Sequence, residues 1–499
     1  MEILSHHHKT LQADKEMGEV KPYSELHRPQ FHFSPKKNWM NDPNGLITYK
    51  NVHHLYFQYN PHGNQWGHMS WGHATSSDRV HWQEHHVAIP EKEHMIFSGT
   101  TALDLDKETL IAAFTSFEHA LDPQGGLATK VQHQSIAKSH DDGFSYQEIA
   151  ENPVLDIGST EFRDPKLFFD PRTQKWNMLV SLSLEHKVVF YQSTDLKTWK
   201  KVSDFGPLGN TAAVWECPDL FKLPVKGSDI QKWVLTLSAG HPQEGQLGMQ
   251  YFIGDFNGTH FIPDPHPYPL YLDYGKDFYA GITFANTDHK DHVTMMAWVG
   301  SHCYSSDTPT HIWRGAMSLP RDLFLTETKK GYRLQSRPPH SYLNALYSQP
   351  WLREGLHLYN GTVEPPFKGK SFVARLTIKN EGITTAGIKI LKSKNCETIV
   401  GVDFGKGEIF IDRTTSSSHK FNGKFFGKDA MPIDTTWQAI QLDIFVDQSI
   451  VEVFVQNGAH TLTNLVFPDE DGNTIKLFAK GGKAHFEKVD IRTVKSIWT

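Results

Sequence analysis

Four times between residues 76 and 261 a strand-like run ends in a short polar turn carrying an aspartate, with an aromatic residue soon after. Ser76-Ser77-Asp78-Arg79-Val80-His81-Trp82 and Ser193-Thr194-Asp195-Leu196-Lys197-Thr198-Trp199 are the clearest copies. Ser139-His140-Asp141, followed by Phe144 and Tyr146, and Gly254-Asp255-Phe256-Asn257-Gly258-Thr259-His260-Phe261 are looser ones. The aspartates fall at 78, 141, 195 and 255, in steps of 63, 54 and 60 residues. A four-stranded antiparallel sheet of short strands with its loops occupies that length, and such a period marks propeller blades. Runs such as HLYFQYN, WNMLVSLSL, KVVFYQS and KWVLTLS are rich in β-branched and aromatic residues and are bounded by turn formers.

A second repeat sets the number of blades. Asp42-Pro43-Asn44-Gly45-Leu46-Ile47, Asp164-Pro165-Lys166-Leu167-Phe168-Phe169 and Glu216-Cys217-Pro218-Asp219-Leu220-Phe221 each place an acid and a nearby proline ahead of an apolar strand. Proline donates no N–H and is tolerated where a strand begins, so each acid belongs at a strand start. In a propeller the first strand of every blade lines the central channel, and equivalent positions face one axial pocket. Phe97-Ser98-Gly99 and Phe278-Tyr279-Ala280 supply the other starts, and five blades follow. After Arg333 the texture changes. Arg337-Pro338-Pro339 and SYLNALY read as a linker with one helical turn; beyond about Trp351 the strands are longer and Asn457-Gly458 signals a hairpin. The expected fold is all-β: a five-bladed propeller over 25–335, a linker over 336–350 and a supportive β-sandwich over 351–499.

At 499 residues the chain exceeds a single ordinary core. Its 50 Lys+Arg against 56 Asp+Glu, with no basic stripe, argue against a nucleic-acid partner. No apolar run approaches the ~18 residues of a membrane span. The N-terminal stretch lacks the apolar core of a secretory signal, so the chain as written reads as cytoplasmic, and as secreted only if a signal has been replaced there. His6-His7-His8 reads as an inert polar tail. Cys217, Cys303 and Cys396 read as free thiols, with one bridge still open. Asp469-Glu470-Asp471-Gly472 reads as a hairpin turn more than a calcium loop, and Asn257-Gly258-Thr259 and Asn360-Gly361-Thr362 as unused glycosylation sequons. Monomer and homo-oligomer are both open.

Three carboxylates facing one pocket suit glycoside hydrolysis, which needs one ionised carboxylate and one protonated acid. Asn41 and Asn44 flank Asp42 and would keep it anionic by donating amide hydrogens. Glu216, between Trp215 and Cys217, has a less polar setting that would raise its pKa and make it the acid. Asp164 beside Arg163 should stay charged and bind sugar hydroxyls.

At these residues a resemblance becomes specific. Trp39-Met40-Asn41-Asp42-Pro43-Asn44-Gly45, Phe162-Arg163-Asp164-Pro165 and Trp215-Glu216-Cys217-Pro218 resemble the three signature motifs of glycoside hydrolase family 32, the invertases, exo-inulinases and levanases. The likeness continues through Gln58-Tyr59-Asn60-Pro61, Leu272-Asp273-Tyr274-Gly275-Lys276-Asp277, Ile411-Asp412-Arg413-Thr414 and Phe445-Val446-Asp447, from about Arg28 to the end. It implies a five-bladed propeller joined to a β-sandwich and a retaining double displacement with no metal or cofactor. Asp42 would be the nucleophile, Glu216 the acid/base and Asp164 the transition-state stabiliser. Substrate contacts would be Trp39, Asn41, Gln58, Trp66, Phe97, Ser98, Arg163 and Trp298; Trp66 and Trp298 have a competing reading as core aromatics. After Trp298 the chain departs from the usual pattern and continues Val299-Gly300-Ser301-His302-Cys303, so contacts beyond the first sugar are not carried over.

The expected activity is release of terminal β-fructofuranosyl units from sucrose and β-fructans of the inulin and levan types. A fructosyltransferase using the same covalent intermediate and a sucrose-6-phosphate hydrolase are the alternatives. The latter would want an additional Lys/Arg pair near the acids, which the sequence does not place. A catalytically inactive fructan-binding protein would need no acids at all.

Overall fold

The computed structural model describes residues 22–121, 127–243, 246–434 and 437–498; the His6–His8 tail lies outside them. The expected architecture is present. Five antiparallel sheets follow one another along the chain, and their first strands, Asn38–Tyr49, Met95–Asp104, Phe162–Asp170, Glu216–Pro224 and Tyr279–Thr283, touch in a closed ring. Each begins at a start legible in the sequence. Between consecutive blades lies an apolar core. Ile47 and Trp71 pack against Ile96 and Phe114, Ile111 and Ile136 against Leu167 and Met178, and Leu179 and Phe190 against Leu235 and Phe252. Leu223 and Met249 meet Met295 and Leu323, and Ile282 and Met296 return to Met40 and Leu55. The ring closes where Trp313–Arg314, from blade five, pairs in parallel with Asn38 and Trp39 of blade one.

One irregularity recurs in all five blades. Three residue steps of the first strand face two of the second: Met40–Pro43 opposite Tyr59–Phe57, Ile96–Gly99 opposite Ser116–Phe114, and Arg163–Lys166 opposite Ser181–Leu179. Glu216–Asp219 opposite Ser238–Thr236 and Tyr279–Ile282 opposite Trp298–Met296 complete the set. A β-bulge adds an unpaired residue and re-aims its side chain. Asp164, Cys217 and Ala280 take left-handed φ values of 65°, 48° and 55° there, which is costly for residues other than glycine. In blade two Gly99 meets the facing strand so closely that a Cβ would lie 2.0 Å from the Ala113 carbonyl oxygen.

The turn repeat has a physical basis in blades one to three. Asp78 accepts the N–H groups of Val80 and His81, Asp141 that of Ser145, and Asp195 those of Lys197 and Thr198, each with a serine two residues earlier donating to the aspartate. Blade four departs from the expectation. Asn257, not Asp255, accepts the Thr259 and His260 N–H groups, while Asp255 pairs with Lys232.

The linker carries one short helix, His340–Leu346. Beyond it a ten-stranded sheet folds into two layers around the core of Leu376, Ile388, Val400, Ile444 and Phe486. The last strand, Thr474–Val494, pairs with Thr385–Lys392 near its start and with Phe372–Asn380 near its end. Between these partners stand Gly481 and Gly482, with φ of 77° and 137°; a Cβ on either would come within 2.3 Å of a neighbouring atom. Asp469 accepts from Ser393 and Ser418, which occupies the carboxylate of the turn that only resembled a calcium loop. The three cysteines are free. Among the described residues no helix is long and apolar enough to cross a membrane.

The sandwich meets the propeller through buried charge. Arg321 of blade five donates to Asp273 at 2.9 Å and to Glu452 at 3.1 Å, while Arg413 of the sandwich pairs with Asp277 at 2.6 Å. His32 bridges Asp447 at 3.0 Å and Glu452 at 3.1 Å. The family-like segments around Asp273, Arg413 and Asp447, which carry no chemistry of their own, are the parts that join the domains.

Candidate active site

Four of the five bulges place their side chains around one mouth of the channel. Asn41 and Asp42 come from blade one, Phe97 and Ser98 from blade two, Arg163 and Asp164 from blade three, and Glu216 from blade four. With Gln58, Trp66 and His302 they line an open cavity of about 220 Å3. Asp42 Oδ2 accepts from Ser98 at 2.7 Å, and Oδ1 from Asn41 at 3.1 Å. Asp164 Oδ2 accepts the Cys217 N–H at 3.0 Å, and the Cys217 thiol lies 3.6 Å from both aspartates. Glu216 Oε1 accepts Arg163 Nε at 3.0 Å, and its Oε2 accepts the Tyr279 hydroxyl. Each acid is thus tied to the next blade by the bulge that presents it.

Deeper contacts hold the ring. Lys166 and Asp219 form a buried pair at 2.6 Å, and Asp219 accepts the N–H and hydroxyl of Thr283 at 2.7 and 2.8 Å. Thr100 bridges the backbone of blade three, donating to Pro165 and accepting from Leu167.

The electrostatics differ from those read off sequence neighbours. Burial is the largest influence on Asp42 and raises its pKa, outweighing His302 and the Ser98 and Asn41 hydrogen bonds. Burial, then the charge of Glu216, pushes Asp164 up to about 7 against the pull of Arg163. Burial would raise Glu216 as well, but Arg163, His302 and Tyr279 outweigh it and hold the carboxyl below its usual range. The expected low Asp42 and high Glu216 are therefore reversed in the free protein. Trp215, which was to supply the apolar setting of Glu216, turns its ring into the core between blades three and four, on Phe205 and Phe252.

Nine of the eleven expected site residues meet at the cavity. Gln58 also donates to the Ile96 carbonyl at 3.0 Å, and Trp66 is 38% exposed with its edge toward Phe97.

 Asn41, Asp42, Gln58, Trp66, Phe97, Ser98, Arg163, Asp164 and Glu216 line the cavity. Trp39 and Trp298 do not. They are 1% and 0% exposed, with ring centroids 6.2 Å apart behind the lining. The structure places neither ring at the lining: Trp39 donates to Asn41 Oδ1 at 2.7 Å and so orients that amide, and Trp298 packs under His302 at 4.8 Å.

The matches to known proteins agree with this geometry. The profile described as the glycosyl hydrolases family 32 N-terminal domain covers residues 32–338, and the family's C-terminal profile covers 351–493. The chain belongs to glycosyl hydrolase family 32. An extracellular exo-inulinase of Aspergillus niger is 37% identical, over 95% of this chain and 96% of its own. A levanase of Bacillus subtilis is 36% identical, over 95% of this chain and 72% of its own. The crystal structure of an exo-inulinase from Aspergillus awamori superposes with a TM-score of 0.89 at 35% identity, covering 96% of this chain and 100% of that one. This family 32 member is a glycoside hydrolase.

Sequence reasoning missed two groups of the family 32 site. Tyr279 reads from the sequence only as part of a blade start and of a family-like stretch, yet its hydroxyl meets Glu216. His302 lines the cavity from the connection after Trp298, where the sequence departs from the usual pattern; that departure was the available signal.

Proposed function

We propose that this hydrolase removes terminal non-reducing β-D-fructofuranosyl units from sucrose and β-fructans with retention at C2. The observation that carries the reading is the convergence of three carboxylates from three blades, Asp42 and Asp164 buried and Glu216 half-buried, on one cavity beside Arg163. A carboxylate oxygen of Asp42 attacks C2 as the bond to the leaving oxygen breaks, and Glu216 gives that oxygen its proton. Water then attacks C2 of the fructosyl ester. Glu216 takes a proton from it, the bond to Asp42 breaks, and β-fructose departs. Asp164 binds sugar hydroxyls and holds them more strongly as positive charge grows on the ring.

This sequence needs an anionic Asp42 and a protonated Glu216, whereas burial favours the proton on the aspartates of the free enzyme. One proton shared among the three acids satisfies both states. Sugar hydroxyls donating to Asp42 and Asp164 favour their anions, and the proton passes to Glu216 beneath the leaving group. The shared proton is the last to leave, with Asp164 raised to about 7. Thus kcat/KM, which reports the free enzyme, is expected to fall about ten-fold per pH unit above about pH 7. Arg163→Gln removes a cation that favours the anions, so the falling limb should move to higher pH while the plateau drops. A limb that stays in place would count against Arg163 as the tuning group.

The relatives named exo-inulinase and levanase support fructan substrates, and the lining supports a neutral one. Among its described residues Arg163 is the sole Lys or Arg, and it is committed to Glu216, Glu161 and Gln132. A time course on sucrose, inulin, levan and sucrose 6-phosphate tests the reading. Glucose and fructose should appear in equal amounts from sucrose, and sucrose 6-phosphate should be the poorer substrate. A lasting glucose excess would make the enzyme a transferase, and initial release of α-fructose would refute retention.

A further inference from the structure

The sandwich carries a constellation that this chemistry does not use. His357, on the strand Tyr347–Val363, lies opposite His485 on Thr474–Val494, and the two rings stack at 4.3 Å. Glu381 follows the next strand, Phe372–Asn380, and turns one carboxylate oxygen to each imidazole. Its Oε1 is 2.9 Å from His485 Nδ1 and its Oε2 is 3.8 Å from His357 Nδ1. One ligand atom from each of the three residues lies within 4.8 Å of the others.

We propose that His357, Glu381 and His485 form a binding site for a divalent metal of the zinc class. Bonds of about 2.0–2.2 Å in a tetrahedral site put neighbouring ligand atoms about 3.3 Å apart, a spacing that the two carboxylate–imidazole distances bracket. Two imidazoles and one carboxylate suit Zn2+, Ni2+ or Cu2+, and suit poorly Ca2+, which takes six or more oxygens. The cross-strand pairing already holds both rings together, so little side-chain freedom remains to be lost. Metal binding replaces the hydrogen bond between His485 and Glu381, displaces the Lys483 ammonium now 3.2 Å from Glu381, and leaves a fourth position for water. Because two strands and the turn after a third supply the ligands, the bound metal ties the first and last strands of the sandwich to their neighbour.

Calorimetric titration of Zn2+ into the full chain tests the site, with His6, His7 and His8 replaced by glutamine so that their imidazoles cannot compete. One saturable equivalent is expected, together with a higher melting temperature, as for any ligand that prefers the folded state. His485→Ala and Glu381→Gln should each weaken binding by more than about ten-fold, the least that loss of even an outer partner of a metal costs. Both should erase the thermal shift and leave sucrose hydrolysis unchanged. No saturable binding, equal binding of Ca2+, or affinity that survives both substitutions would overturn the proposal.

Discussion

Asp42→Asn is expected to lower kcat on sucrose by about 10^4-fold or more while the protein melts at a higher temperature. The first effect follows from the loss of the proposed nucleophile, since an amide is a far weaker nucleophile than a carboxylate. The second follows from burial. The folded-state pKa of Asp42 is raised, so its contribution to stability is complete below the unfolded value near 3.8 and is lost as pH rises through the folded one. At neutral pH the ionised side chain therefore opposes folding, and an asparagine of the same shape relieves about 1 kcal/mol of that opposition. It can still accept from Asn41 and donate to Ser98. Thermal and kinetic readings together separate lost chemistry from lost structure. Asp42→Ala supplies the third measurement: azide should restore part of the turnover by occupying the vacated carboxylate position and attacking C2, giving the α-fructosyl azide. More than about 1% residual activity in Asp42→Asn, or an equal azide rescue in Asp164→Ala, would end the assignment of Asp42 as nucleophile.

The acids were legible because their chemistry and their backbone role coincide. A proline beside an acid ahead of an apolar run marks a strand start, and a strand start in a propeller faces the channel. The bulge that presents those acids was not legible, since it depends on pairing Arg163–Lys166 with Leu179–Ser181 and its four counterparts. Trp39 and Trp298 misled for a related reason. Both rings lie in a cluster directly behind the lining with Cys217 and Tyr279, at a depth that no local pattern gives. Charge was the least readable property. Asn44 and Trp215 are neighbours of the acids in sequence, but the groups that set the balance at Glu216 are Arg163, His302 and Tyr279, from other parts of the fold. Ring closure brings these together, and no local window contains them.

The same dependence on distant partners gives the interdomain charges their expected cost. Arg321→Ala should destabilise the protein by about 3–5 kcal/mol, because it leaves Asp273 and Glu452 buried without their cation. The guanidinium is 1% exposed, packs 4.0 Å from the Phe278 ring and 5.0 Å from that of Phe454, and also donates to Thr461 and Thr463. Truncation therefore removes packing as well as charge, and the two can be told apart. Adding Asp273→Asn and Glu452→Gln to Arg321→Met neutralises the stranded carboxylates while keeping most of the volume. If uncompensated charge is the larger part, the triple variant should recover most of the loss in a denaturant titration; recovery of less than about 1 kcal/mol would assign the cost to packing instead. The effect should reach the active site. Asp273 and Asp277 anchor the segment leading into blade five, and Tyr279, two residues beyond Asp277, touches Glu216. Loosening this segment frees the Glu216 carboxyl that the Tyr279 hydroxyl holds in place, so a folded Arg321 variant should lose kcat, although none of the described lining residues belongs to the sandwich.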